Sequence, residues 1–289
     1  MAGNTLKELI EAKELVVAPG IFNPLTAMIA ESRGFEAVYM TGYGTATMNH
    51  GYPDLGLVTM TEMVENAARI AAAVEIPVIA DADTGYGNPI NMVRTVREYE
   101  KAGVAAIHIE DQVWPKRCGH MTGKAVIAAD DMAAKIRAAA DARSNPDFLI
   151  IARTDALAIH GLDHAVERGR MYAEAGADVL FIEAPTTVDE MAEIPRRLPE
   201  KPHLVNMAPR TPNLPVEDLE KMGFSIALFP GICLAACITA CIEELQAFKE
   251  NGKQRDFSEW IQSFTDLNDF LKVPYYLELD SKYRSKSEE

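Results

Sequence analysis

Positive charge is scarce in this chain. Its 28 Lys and Arg residues face 43 Asp and Glu residues, the formal net charge is −15, and the cations form no run. Such a surface offers no electrostatic footprint for nucleic acid or for an anionic membrane. Long hydrophobic runs are missing too: nothing approaches the roughly 18 to 20 apolar residues that cross a bilayer. Met1 to Leu9 lack the charged-then-apolar layout of a secretory signal. The chain is therefore expected to be cytoplasmic and to act on small molecules, with no nucleic-acid or membrane partner. Cysteine is sparse, with 4 in 289 residues, which excludes a disulfide framework. Cys233, Cys237 and Cys241 recur every four residues in one apolar stretch and read as small buried helix residues, since the turns and histidines of a metal cluster are not beside them. Cys118 stands apart, in polar and cationic surroundings.

No Gly/Ser-rich or Pro-rich linker interrupts what remains, so residues 1–289 are read as a single domain. After an amphipathic helix near Asn4 to Lys13, short β-rich runs alternate with stretches of helical period, the signature of βα units around a parallel sheet. The expected strands are Val16 to Pro19, Ala37 to Gly42, Pro77 to Asp83, Ala105 to Asp111, Phe148 to Asp155, Asp178 to Ala184, His203 to Ala208 and Phe224 to Gly231. Helical patterns lie between them at Met60 to Val74, Asn91 to Lys101, Asp130 to Arg143, Asp163 to Ala175 and Val216 to Met222, several closing on Ala-Gly or Met-Gly. Eight such units close a (β/α)₈ barrel, a fold of about 250 residues before additions. Leu234 to Asn251 is the expected last helix. The tail from Phe257 to Leu279 carries Trp260, Phe264, Phe270, Tyr275 and Tyr276, too many aromatics for disorder, and is expected to pack on the barrel or on another subunit.

Active sites of such barrels sit at the C-terminal ends of the strands. Here nearly every strand from the second onward ends in polar residues: Tyr39, Thr41 and Gly42; Asp81 and Asp83; His108 and Glu110; Arg153 and Asp155; Glu183; and Asn206. Residues two apart on a strand share a face, so Asp81 pairs with Asp83, His108 with Glu110 and Arg153 with Asp155. Several carboxylates in one mouth repel each other unless a cation shares the site. A hard divalent ion such as Mg²⁺, held by few direct ligands and several waters, is the simplest remedy. The alternative is a purely internal ion-pair network with Arg153 and Lys116.

The loop Gln112 to Ala128 is long for a βα connection and carries Lys116, Arg117, Cys118, Gly119 and His120. Two cations and an imidazole are expected to depress the pKa of the thiol. With Gly119 and Gly123 as hinges, the composition is that of a mobile lid. Asp83 to Asn88 (DTGYGN) lacks the Lys-Ser/Thr of a phosphate loop and reads as a tight turn shaping the metal site.

Through DADTGYGN at Asp81, HIEDQ at His108, KRCGH at Lys116 and ARTDA at Ala152, the chain resembles the isocitrate lyase and phosphoenolpyruvate mutase superfamily over essentially its whole length. The resemblance implies a (β/α)₈ barrel whose last helix is exchanged between subunits, residues 234–289 serving that exchange in a homotetramer built as a dimer of dimers. It implies Mg²⁺, with Mn²⁺ able to substitute, ligated directly by Asp81 and through water by Asp54, Asp83 and Glu110. Thr41, Gly42, Tyr43 and Arg153 then hold the 2-oxo acid end of the substrate, with Lys116, Gly119 and Pro230 completing the pocket. Tyr39 assists removal of the hydroxyl proton, Cys118 supplies a proton with His120 beside it, and Glu183 and Asn206 lie near the departing fragment. The cysteine of KRCGH marks the lyase branch, so carbon–carbon cleavage of a 2-hydroxy dicarboxylate is expected over phosphorus chemistry.

Two departures narrow the substrate. Where 2-methylisocitrate lyases read Thr-Glu-Phe-Gly after the asparagine, this chain has Met207, Ala208, Pro209 and Arg210, and where they place an arginine past the eighth strand it has Ala235. An apolar pocket does not repay the desolvation of a third carboxylate. The expected substrate is 2,3-dimethylmalate, cleaved to pyruvate and propionate. The rivals are 2-methylisocitrate, with Arg210 replacing the missing cation, oxaloacetate hydrolysis or decarboxylation, disfavoured because Pro230 stands where those enzymes carry a serine, and a non-catalytic ligand-binding barrel.

Overall fold

A computed structural model describes residues 5–12, 14–254 and 264–284. Residues 1–236 form one compact unit and residues 237–289 a second. The first unit is a closed barrel of eight parallel strands, each paired with the next and the last with the first. They are β1 Val16–Ile21, β2 Val38–Met40, β3 Val78–Asp81, β4 Ala106–Glu110, β5 Leu149–Thr154, β6 Val179–Ile182, β7 His203–Asn206 and β8 Ile226–Phe229. All eight lie where the alternation of apolar runs and helical periods puts them. Most stop one or two residues short of the apolar run, because ladder pairing ends where the chain turns out to form the mouth.

The helices between strands begin where side chains satisfy the free N–H groups of the first turn. Thr59 and Glu62 form a reciprocal capping box for Met60–Ala71, and Thr187 and Glu190 do the same for Val188–Arg197. Asn88 caps Pro89–Lys101 ahead of a proline at its first position. Gly103 and Gly176 follow two of these helices at φ 83° and 107°, a conformation other residues adopt only at a cost. The sequence reading omitted four shorter helices, Pro24–Ser32, Gly42–His50, Leu157–His160 and Val188–Arg197.

Inside the barrel, the side chains change character along each strand. Ala37, Ile79, Ala106, Leu149, Ile151, Val179, Phe181, Leu204 and Ile226 belong to one apolar cluster with Leu6 and Leu9 of helix Leu6–Glu11. That helix contributes to the core, although Asn4 and Lys13, the limits read from sequence, fall outside the described residues. One pleat further along, the same faces carry Asp81, His108, Glu110, Arg153, Glu183 and Asn206, all buried. A second cluster fills the layer between strands and helices.

The second unit contains most of helix Ile232–Asn251, together with Phe264–Phe270 and Val273–Tyr283. The tail is thus helical over these stretches, while Phe257 and Trp260 fall outside the described residues. Cys233, Cys237 and Cys241 lie on the long helix, but the expectation of burial fails for Cys241, which is exposed, and Cys233 and Cys237 are only partly buried. No helix among the described residues is long and apolar enough to cross a membrane.

Candidate active site

Asp81 closes β3 at the centre of a hydrogen-bonded cluster. Its Oδ1 accepts from the Asp83 amide at 2.9 Å, and its Oδ2 from the Gly42 amide at 3.1 Å and the Tyr39 hydroxyl at 3.4 Å. His108 Nε2 stands 3.3 Å from Oδ1. Burial opposes ionisation, yet His108 and Lys116 hold the Asp81 carboxyl well below the usual carboxylate range. Asp83 sits two residues on, at φ 47°, in the tight turn expected of DTGYGN. Burial pushes its carboxyl up to about 6 against the pull of Lys116, with Asp81 and Asp54 adding repulsion. Lys116 Nζ lies 2.7 Å from Asp83 Oδ1, without hydrogen-bond geometry, and 2.5 Å from Asp54 Oδ1. Glu110 Oε2 faces Arg153 Nε at 3.3 Å, whereas Oε1 is buried with no hydrogen-bond partner, and burial raises this carboxyl well above its ordinary value.

These residues fit a hard divalent ion by chemistry. Buried Asp54, Asp81, Asp83, Glu110, Asp155 and Glu183 crowd one mouth against the buried cations Lys116, Lys124 and Arg153. Anions in such excess, away from water, require protons or a further cation, and oxygen donors of this kind suit Mg²⁺ or Mn²⁺. Among the described residues no group of three or more His, Cys, Asp or Glu side chains is arranged as a ready metal cage. The ammonium of Lys116 lies between Asp54 and Asp83 instead, so an ion shared by these carboxylates requires that lysine to release one of them.

Arg153 closes β5 and is clamped on two sides. Its Nε donates to Asp155 Oδ2 at 2.9 Å and its Nη2 to Asp155 Oδ1 at 3.2 Å, with Glu183 Oε1 at 3.6 Å. Glu183 follows β6 and accepts from Asn206 Nδ2 at 3.1 and 3.3 Å. Burial opposes its charge, but Arg153 and His120 keep its pKa below the ordinary value. His120 Nδ1 accepts from the Arg210 amide at 3.2 Å, which places the ring proton on Nε2, 3.1 Å from Glu183 Oε1.

Residues 112–128 lie over these strand ends as a loop closed at its base by an antiparallel bridge between Gln112 and Val126. The Gln112 side chain donates to the Arg117 carbonyl at 2.8 Å and accepts from its amide at 3.0 Å, folding the chain back. Gly119 rests against Arg153 and Glu183 so closely that a Cβ would overlap both. Cys118 is partly buried. The expected depression of its thiol pKa is not found. Burial pushes the thiol up, and although the His120 amide and Arg153 oppose the shift, Asp54 and Glu183 add to it. The cations expected beside the sulfur face elsewhere: Lys116 toward Asp54 and Asp83, Arg117 Nη1 toward the Thr122 carbonyl at 3.0 Å, and His120 toward Glu183. A neutral thiol is a proton donor.

Thr41 and Gly42 are not strand ends but open helix Gly42–His50, the Thr41 hydroxyl capping it at Gly44. The Gly42 amide is directed at Asp81, and Tyr43 is 40% exposed at the rim. Pro230 follows β8, its backbone so close to Gly20 that a Cβ there would overlap it. The structure thus gathers Tyr39, Gly42, Asp54, Asp81, Asp83, Glu110, Lys116, Gly119, His120, Arg153, Glu183 and Asn206 through direct contacts. Thr41, Tyr43 and Cys118 border them in the chain, whereas Pro230 is placed only beside Gly20.

Sequence reasoning passed over a buried support beneath this mouth. Asp111 Oδ2 accepts from Thr154 Oγ1 at 2.7 Å, Arg168 Nη1 at 2.8 Å and the Tyr172 hydroxyl at 2.7 Å, and Oδ1 accepts from the Asp155 amide at 3.0 Å. Arg168 also donates to the Ile127 carbonyl at 2.8 Å, at the end of the 112–128 loop. The available signal was an arginine and a tyrosine at i and i+4 among Ala165 and Val166 on the buried face of helix Leu162–Glu174, opposite an aspartate on the outward face of a strand. Lys124, whose Nζ is 2.6 Å from Asp155 Oδ1, carried no comparable signal.

Residues 6–249 match the model of the phosphoenolpyruvate phosphomutase family. Similar over nearly the full length are a 2,3-dimethylmalate lyase of Eubacterium barkeri, 45% identical and covering 96% of each chain, and a 2-methylisocitrate lyase of Aeropyrum pernix, 44% identical over 99% of this chain and 92% of that one. A solved oxaloacetate acetylhydrolase, in complex with 3,3-difluorooxaloacetate, superposes with a TM-score of 0.92 at 36% identity, covering 98% of this chain and 97% of its own. The chain belongs to the phosphoenolpyruvate mutase and isocitrate lyase superfamily, as one of its lyases.

Proposed function

We propose that this lyase cleaves the C2–C3 bond of a 2-hydroxy dicarboxylate, and that its substrate is 2,3-dimethylmalate, yielding pyruvate and propionate. The observation that carries the choice is the pairing of the buried cations. Lys116 is held by Asp54 and Asp83, Lys124 by Asp155, and Arg153 by Asp155, Glu110 and Glu183. Arg210, the rival anchor, is exposed and engages His120 through its backbone. Among the described residues, each of these buried cations at the mouth already has a carboxylate partner, so a third substrate carboxylate would meet none that is free and its desolvation would go uncompensated.

Asp81, with Asp54, Asp83 and Glu110, would hold a divalent ion, Mg²⁺ or Mn²⁺, which would supply stabilisation for negative charge at the substrate 2-oxygen. The chain's own groups move the protons. Burial and the Asp81 charge raise the Tyr39 phenol well above its ordinary pKa, so Tyr39 acts as a relay rather than a resident base. Its hydroxyl lies 2.8 Å from His108 Nε2, a contact that orients it toward the proton leaving the 2-hydroxyl. The C2–C3 electron pair then passes to the C3 fragment, and the Cys118 S–H delivers a proton to C3. Arg153 and the rim formed by Thr41, Gly42 and Tyr43 hold the oxo-acid end, and Lys116, Gly119, Pro230 and His120 surround the departing fragment with Glu183 and Asn206. The 112–128 loop acts as a lid that excludes water during the reaction.

The same reading includes a cytoplasmic homotetramer, a dimer of dimers that exchanges its last helix. The exposed Ile242, Leu245, Phe248 and Leu277 are large apolar side chains of the kind a second copy covers. The near-equal identity to the 2-methylisocitrate lyase supports one alternative substrate. Incubation with Mg²⁺ and a panel of 2-hydroxy dicarboxylates, 2-methylisocitrate and oxaloacetate, followed by identification of both products, tests the assignment. Pyruvate with propionate is expected. Pyruvate with succinate would transfer it to 2-methylisocitrate, and oxalate with acetate to the hydrolase reaction.

A further inference from the structure

We infer that Lys124 is a positioning residue that couples closure of the 112–128 loop to the orientation of Arg153. Its side chain is 2% exposed, with Nζ 2.6 Å from Asp155 Oδ1 and hydrogen-bonded to the Gly119 carbonyl. The same Asp155 oxygen accepts from Arg153 Nη2, and the other accepts from Arg153 Nε. Asp155 cannot follow the loop: its amide is bound to Asp111, which is itself held by Thr154, Arg168 and Tyr172. The moving partner is therefore Lys124. When it docks, it draws the Gly119 carbonyl, next to Cys118, onto the carboxylate that aims Arg153. Lys116 docks on the other side of Cys118, on Asp54 and Asp83, so the thiol hangs between two buried ion pairs. With the loop open, Lys124 is hydrated and Asp155 retains Arg153. Burying an ammonium is costly unless it is paired, so closure is favourable only when Asp155 is ionised and correctly placed.

This inference rests on the reading of the loop as a lid, and the experiment separates the two. Hydrogen exchange of residues 116–124 is followed by mass spectrometry with and without Mg²⁺ and pyruvate, in the wild type, Lys124→Met and Lys124→Arg, alongside steady-state kinetics of pyruvate release. The wild type is expected to gain protection with the ligands. Lys124→Met should lose that gain and fall roughly 10²-fold in kcat, as misplacement of a reacting group does, while KM changes severalfold at most. Lys124→Arg should recover part of both. Ligand-dependent protection in Lys124→Met equal to that of the wild type would overturn the coupling and leave the lid intact. No ligand-dependent protection in the wild type would overturn both.

Discussion

Replacing Asp155 by Asn tests whether the charges at the mouth are held by the pairings described. The carboxylate is fully buried and bonded to Arg153 through both oxygens and to Lys124 through one. Burial alone would raise its pKa, but Arg153 and Lys124 bring it down to about 2. Against an ordinary aspartate near 3.9, that difference is worth roughly 2 to 3 kcal/mol of folding free energy. Because the folded-state pKa is the lower one, the contribution is complete above about pH 4 to 5 and is lost as pH falls through about 2. The amide removes this contribution and leaves two buried cations short of a counter-charge, a change that typically costs about 3 to 5 kcal/mol. The lower end applies here, since Arg153 keeps Glu110 at 3.3 Å and Glu183 at 3.6 Å, and Lys124 is free to swing into water. At a few degrees per kcal/mol for a chain of this size, Tm at pH 7 should fall by on the order of 10 °C. Chemical denaturation followed by circular dichroism at pH 7 and near pH 2 measures both parts. The gap between wild type and Asp155→Asn should shrink by roughly 2 to 3 kcal/mol at the lower pH. A gap that does not change with pH, or a Tm shift of less than about 2 °C at pH 7, would refute the pairing.

Asp81→Ala is expected to keep the fold, because the residue lies above the apolar layers of the barrel, and to weaken Mn²⁺ binding by at least about 10-fold in calorimetry; unaltered affinity would remove Asp81 from the metal site. Cys118→Ser exchanges a thiol for a much weaker acid and should lower pyruvate release by roughly 10² to 10⁴. Pyruvate binding should survive that change, and near-normal turnover would assign the proton to another group. Gly119→Ala places a methyl group against Arg153 and Glu183 and should cut kcat/KM by roughly 10²-fold with Tm nearly unchanged; full activity would show that the loop does not close onto those residues during turnover.

The barrel was legible because it follows from local geometry. A strand buried on both faces is apolar along its length, a helix on its surface repeats every 3.6 residues, and eight such alternations leave few other architectures. The height of the site was legible for the same reason: Asp81, His108, Arg153 and Glu183 each follow an apolar residue two positions earlier on the same face, and Glu110 follows His108. The short helix Gly42–His50 was not, since its glycines and threonines carry no amphipathic period and the cap at Thr41 forms only once β2 has ended.

Sequence alone thus determined which side chains face one another across the mouth, and motif resemblance determined the family. Only the tertiary structure decided which charges are partners. That Lys116 takes Asp54 and Asp83, that Lys124 takes Asp155, that Arg168 and Tyr172 converge on Asp111, and that the Cys118 thiol is raised rather than depressed all depend on how a loop folds back over the barrel. The physical reason is that periodicity is written by neighbours in the chain. Pairing and desolvation are set by atoms that lie tens of residues away along the chain and within 3 or 4 Å in space.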